Sequence, residues 1–174
     1  AYLGCPFAKK DLFQMAVSLE GHPDNIAPAL FGGFTVSLKN KGEYYTSKII
    51  PAKELKAVAA IPSFPLSTKK TRKSLPKEVP FHDAVFNIGR AAALVNAIEN
   101  GEWTMFSLAL EDKLHQSYRF SLIPGAQSVV HAAKKAGALG AVLSGSGPTI
   151  LAFTIEENCD KIGRAMQKAF AHYS

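Results

Sequence analysis

The stretch Gly140 to Thr154, GAVLSGSGPTILAFT, constrains the fold more than any other. Two short runs rich in Val, Leu, Ile and Phe flank a Gly/Ser loop. Each run is short and apolar, with Gly and Pro punctuation beside it, which reads as a buried strand rather than a helix. The chain must therefore carry two short strands around Ser144–Thr149, and helices must cover them.

Those helices are legible. After Pro80, Val85, Ile88, Ala92, Val95 and Ile98 form a broad apolar face, and Gly101 lies beyond its end. Trp103 to Leu110 reads as a second helix, and Ala126 to Ala136 as a third, stopped by Gly137. Asn158 to His172 closes the chain as a helix, with Asp160 early and Lys168 and His172 late, matching the dipole. VAAI within Lys56 to Ile61 reads as a further strand. From Pro51 the order is strand, helices, strand, strand, helix. This predicts an α+β fold, a ferredoxin-like α/β sandwich with helices on one face of the sheet.

The first fifty residues follow another pattern and read as the tail of a different domain, giving expected domains of 1–50 and 51–174. Asp11 to Leu19 has Leu12, Met15, Ala16 and Leu19 at helical spacing, with Asp11 as its expected N-cap. After a break at Gly21–Pro23, Asp24 is the expected cap of a short helix that tolerates Pro28 in its first turn and stops at Gly32-Gly33. Phe34, Val36 and Leu38 alternate with polar residues as in a half-buried strand. Asn40-Lys41-Gly42 then turns the chain into a partner, Tyr44 to Ile50.

Charge and composition narrow the function. Hydrophobic content is 47% and charged content 20%, which excludes a disordered chain. No apolar run is long enough to span a membrane, and no segment reads as a signal peptide. Cys5 and Cys159 fit no metal spacing, so a reduced, cytoplasmic protein is expected. The net charge of +6 suits an anionic ligand. No aromatic RNA-binding strand is present, so nucleic acid is not the expected partner.

Four clusters could carry chemistry. The first is EGHPDNIAPALFGGF, Glu20 to Phe34. It sets Asp24 and Asn25 between two prolines with His22 alongside, more than a turn requires. Asp24 could grip an ammonium group, bind a metal or take a proton. The second is SGSGPT, where Gly145 and Gly147 let backbone N–H groups approach an anion, and Ser144, Ser146 and Thr149 add hydroxyls. It matches neither G-x-x-x-x-G-K-[ST] nor G-x-G-x-x-G. The third is the basic loop STKKTRKSLP, in which Arg72 could clamp a carboxylate with two parallel bonds and the lysines read as solvated. The fourth is DKLHQSYRF, where Asp112, His115 and Arg119 could share one helix face. By spacing alone a surface helix with an internal ion pair is the plainer reading.

GHPDN followed by AP, the Arg72 loop ending in LP, LHQSYR and LSGSGPT resemble, in that order, the homoserine kinases of the GHMP kinase superfamily. The resemblance covers essentially the whole chain. It implies a GHMP kinase N-terminal domain tail before a GHMP kinase C-terminal domain. It also implies ATP-dependent phosphorylation of the L-homoserine hydroxyl, with Mg²⁺, on the route to threonine. His22, Asp24 and Asn25 then lie at the amino-acid substrate, with Asp24 either its ammonium ligand or a base. Arg72 and Arg119 hold its carboxylate. Ser144, Gly145, Ser146, Gly147 and Thr149 form a loop that closes near substrate and phosphates.

Two departures from the family pattern stand out. The nucleotide loop P-x-x-x-G-L-G-S-S-x-A is missing, so the sequence reads as a C-terminal portion that needs the N-terminal part of its own chain for activity. Ser18 stands where relatives carry a metal-binding glutamate. That leaves Glu20 as the candidate Mg²⁺ ligand, although two positions along a helix face elsewhere. A homodimer is compatible with this reading. The alternatives are another GHMP small-molecule kinase, which the arginine pair and Asp24 argue against, and a non-catalytic ferredoxin-like ligand-binding module.

Overall fold

A computed structural model describes residues 6–67, 71 and 73–173. The chain divides into two compact units between Pro51 and Ala52.

In the first unit, α1 (Lys9–Glu20) and α2 (Ile26–Phe31) precede a hairpin of β1 (Phe34–Asn40) and β2 (Glu43–Ile49). The strands pair antiparallel from Phe34 opposite Ile49 to Asn40 opposite Glu43. Lys41 and Gly42 turn them with φ of 48° and 90°, the left-handed pair that a two-residue hairpin favours. The core is Phe13, Val17 and Ala27, with Phe13 edge-on to Phe31 at 5.4 Å between ring centres.

Two expectations need correction here. α1 begins at Lys9, so Asp11 is not its N-cap. It sits in the first turn, where its Oδ2 accepts a bond from Ala8 N–H at 3.3 Å. The buried face of α1 is Phe13 and Val17, whereas Met15 and Leu19 are 49% and 90% exposed. Both stripes have helical period, and periodicity alone does not say which one finds a partner.

The second unit holds β3 (Lys56–Ala60), α3 (Phe81–Asn100), α4 (Trp103–Ala109), α5 (Gln116–Phe120), α6 (Ala126–Lys135), β4 (Gly140–Leu143), β5 (Ile150–Thr154) and α7 (Cys159–Ala171). The strands form an antiparallel sheet in the order β3-β5-β4, with Leu143 opposite Ile150 and Ala60 opposite Ile150. Strand alternation points Ile150 and Ala152 to the same face as Ala141 and Leu143. There they bury against Val129 and Ala133 of α6 and Ile162, Met166 and Phe170 of α7. Thr154 is also buried, its hydroxyl donating to Asn158 Oδ1 at 2.8 Å just before α7.

The fold is the expected α+β one, but its helices are not confined to one face. Phe153 points away from α6 and α7, and Phe106 of α4 packs edge-on against it at 5.4 Å. On that same side a Cβ on Gly140 would come within 2.5 Å of Leu110 Cδ1, so glycine lets the end of α4 lie on the sheet. α3 packs on α4 and buries Ala97 and Ile98, while Val85 and Ile88 stay exposed. Among the described residues no helix is long and apolar enough to cross a membrane.

Candidate active site

The candidate residues fall in both units, and each group is built separately. In the first unit, α1 ends at Gly21, whose φ of 88° reverses the chain without a Cβ clash. The reversal carries His22, Pro23 and Asp24 out of the helix. α2 starts at Ile26 with Asn25 as its N-cap, so Asp24 is not the cap. It lies one position earlier, and its Oδ1 accepts the Asn25 N–H at 3.1 Å and contacts His22 Nδ1. The other ring nitrogen, Nε2, lies 3.9 Å from Glu20 Oε1. Glu20, His22, Asp24 and Asn25 thus form one small polar cluster, and the Asp24 side chain is 72% exposed.

That cluster rests on an anchor the sequence analysis missed. Gln14 on α1 donates its Nε2–H to Tyr44 O at 2.6 Å and accepts Tyr44 N–H on its Oε1 at 3.1 Å. One side chain therefore satisfies both backbone groups of a strand residue. The Tyr44 hydroxyl in turn donates to Gly21 O at 3.4 Å, tying the hairpin to the turn that presents His22 and Asp24.

In the second unit the centre is Ser144 to Thr149. Ser144 N–H donates to Thr149 O and Gly147 N–H to Ser144 O, each at 2.9 Å, closing the loop on itself. Gly145 and Gly147 have φ of 57° and 81°. At Gly147 a Cβ would also meet Ile123 Cδ1 at 2.7 Å, so the loop is pressed onto the core there. Among the described residues the Gly145 and Ser146 N–H groups have no protein acceptor.

Arg119 is brought to this loop. Its Nη1–H donates to Gly145 O at 3.0 Å, while its buried Nε–H has no partner among the described residues. Gln116, one turn earlier, accepts Leu143 N–H at 3.0 Å and donates to Leu110 O at 3.1 Å, fixing α5 to the strand that leads into the loop.

Asp112, His115 and Arg119 do not share a helix face. α5 begins only at Gln116, and Asp112 precedes it as the acceptor for the N–H groups of Leu114 at 3.0 Å, His115 at 2.8 Å and Gln116. Asn87 of α3 donates to the same carboxylate. Burial pushes the Asp112 carboxyl up, but these bonds outweigh it and hold its pKa below the ordinary 3.8. Asp112 is thus the post on which α5, and with it Arg119, is set. The run Asp112 to Gln116 carried a helix-start signal that could have shown this.

Arg72 lies outside the described residues. Among those residues no group of three or more His, Cys, Asp or Glu side chains is placed to hold a metal ion.

Comparison with known proteins sets these features in a family. Residues 93–172 match the family described as GHMP kinases C terminal. A homoserine kinase from Halothermothrix orenii is 45% identical over 99% of this chain and 55% of its own length. One from Carboxydothermus hydrogenoformans is 45% identical over 99% of this chain and 56% of its own. The crystal structure of homoserine kinase from Cytophaga hutchinsonii matches with a TM-score of 0.93 at 33% identity, over 99% of this chain and 56% of that one. The chain spans about half the length of the curated relatives it matches. Residues 93–172 therefore match the C-terminal domain of the GHMP kinases, and nearly the whole chain is similar to part of several homoserine kinases.

Proposed function

We propose that this chain is the homoserine-recognising portion of a cytoplasmic, ATP-dependent homoserine kinase, working with the N-terminal part of such an enzyme. The observation that carries this reading is the tie between Arg119 and the glycine-rich loop. Nη1 is spent on Gly145 O, while Nε–H and the N–H groups of Gly145 and Ser146 have no acceptor among the described residues. A carboxylate or phosphate oxygen answers such donors, and a buried guanidinium N–H left unpaired is costly.

In this reading Arg119 and Arg72 bind the homoserine carboxylate, and Asp24, steadied by His22 and the Asn25 N–H, binds its ammonium. The loop residues Ser144, Gly145, Ser146, Gly147 and Thr149 face the phosphates. ATP is the phosphoryl donor. The homoserine hydroxyl oxygen bonds to the γ-phosphorus as the bond to the bridging oxygen breaks, and ADP leaves. The transferred group's own oxygens can take the hydroxyl proton, because such transfers rest mainly on positioning and charge neutralisation. No step is assigned to Mg²⁺, for which the described residues offer no donor set.

The test is a coupled kinase assay with ATP and Mg²⁺. A full-length protein carrying these residues should turn over L-homoserine and not mevalonate. The 174-residue chain alone should turn over neither, because its sequence has no nucleotide loop. Failure of the full-length protein on homoserine overturns the function, and turnover by the short chain overturns its dependence on the loop.

A further inference from the structure

A basic groove runs between α6 and α7. Ser128, early in α6, bonds through its hydroxyl to Tyr173 just past α7 at 3.3 Å, so the two helices run antiparallel. Between them is a groove with a cavity volume of about 500 Å³. Its floor is Ala132 and Ala136 from α6 and Ala165 and Ala169 from α7, two i, i+4 pairs that leave a flat, shallow apolar surface. Around it stand Lys135, Lys161, Lys168 and His172, and no carboxylate side chain of the described residues lines the groove. None of these four enters an ion pair among the described residues.

Helix dipoles account for part of this charge but not for all of it. Lys135 lies in the last turn of α6 and Lys168 in the last turn of α7, where cations are favoured. Lys161 lies in the first turn of α7, where its own helix disfavours a cation. The last turn of α6 already carries both Lys134 and Lys135, so a third cation at that end repels its neighbours. An anion seated between Lys135 and Lys161 relieves that repulsion, and the positive end of α7 attracts it too. The volume falls within the range of small-molecule sites and the floor suits a planar group.

We propose that the α6–α7 groove binds a small polyphosphate ester with a flat apolar part, of the nucleoside diphosphate class. Its phosphates lie against Lys135 and Lys161, and its planar part covers the alanine floor towards Lys168 and His172. The site is separate from the Arg119 loop and does not depend on homoserine phosphorylation.

The experiment is a titration of the ¹⁵N-labelled 174-residue chain with ADP, without Mg²⁺ and at low salt, followed by amide shifts. Ala136, Lys161, Ala165 and Ala169 should shift together. Lys135→Gln/Lys161→Gln should weaken this binding at least about tenfold, as expected for lost charge-assisted bonds, with the circular dichroism spectrum unchanged. Arg119→Lys should leave it as in the wild type. Pyrophosphate and adenosine, titrated separately, should each bind at least about tenfold more weakly than ADP. Shifts confined to residues 144–149, an unchanged affinity in the double variant, or equal binding of pyrophosphate and ADP would overturn the proposal.

Discussion

The turn after α1 and the loop between β4 and β5 look alike in sequence, since both crowd polar side chains between glycines and prolines. They are held in different ways. Ser144–Thr149 is closed by its own backbone bonds, pressed through Gly147 onto Ile123, and strapped by Arg119. His22–Asn25 is held by one backbone bond, from the buried Ala27 N–H to Pro23 O at 2.8 Å, by contacts among polar side chains, and by one long bond from Tyr44 behind it. A loop built into a core cannot change without moving the core. A turn whose charged side chain is exposed can lose that charge while the fold stays intact. The two regions should therefore separate stability from activity, and substitutions can test that division.

The largest effect is expected at Gly147. Alanine there combines a left-handed φ with a contact of 2.7 Å to Ile123 Cδ1. Together, strain and overpacking should cost about 3 kcal/mol in chemical unfolding of the second unit. A loss under about 0.5 kcal/mol would show that the loop is not pinned to the core.

Asp112 sharpens the same side of the comparison. Asp112→Ala leaves three backbone N–H groups and Asn87 without their acceptor and should cost about 2 kcal/mol. Its pKa is lowered in the folded protein, so its stabilisation is present above the ordinary value of 3.8 and is lost as pH falls through the lower folded value. Melting temperature followed down to that acid range should fall less steeply in Asp112→Asn, which has no charge to lose there. Parallel curves would assign Asp112 no part in acid sensitivity.

Arg119 bridges both roles. Arg119→Lys keeps the charge but loses the planar fork, so under the proposed function it should raise the full-length protein's KM for homoserine about tenfold and leave KM for ATP near wild type. An equal effect on both constants would make Arg119 purely a loop strap.

The smallest effect belongs to the first unit. Gln14→Ala removes two bonds to Tyr44 and should cost about 1 kcal/mol in stability. No change would mean that water replaces the amide at that strand.

What the sequence could show follows from the same physics. The strands around Ser144–Thr149, the hairpin at Lys41-Gly42 and the helix stops at Gly32 and Gly101 are local events, written in neighbouring residues. The buried face of α1, the packing of Phe106 on Phe153 and the grip of Gln14 on Tyr44 join residues far apart in the chain. Periodicity marks an apolar stripe but not its partner, which is why Met15 and Leu19 passed for core and one sheet face passed for bare. Asp11 and Asp24 are expected caps and Asp112 an expected helix-face residue, yet Asp11 sits inside a first turn and the other two precede a cap, because the same short side chain suits all these places. Of the candidate site, the Arg119–loop pairing is visible in the structure, and the substrate roles of His22, Asp24 and Asn25 rest on the proposal.

The most direct test of that proposal is Asp24→Asn in the full-length enzyme, with kcat/KM for homoserine and Tm measured on the same preparation. Asp24 is 72% exposed and does not cap α2, so the fold does not need its charge. If Asp24 binds the homoserine ammonium, kcat/KM should fall by about 2 kcal/mol or more, roughly thirtyfold, while Tm moves by no more than about 1 °C. Near wild-type kcat/KM with Tm unchanged would contradict the account and leave GHPDN as an elaborate turn.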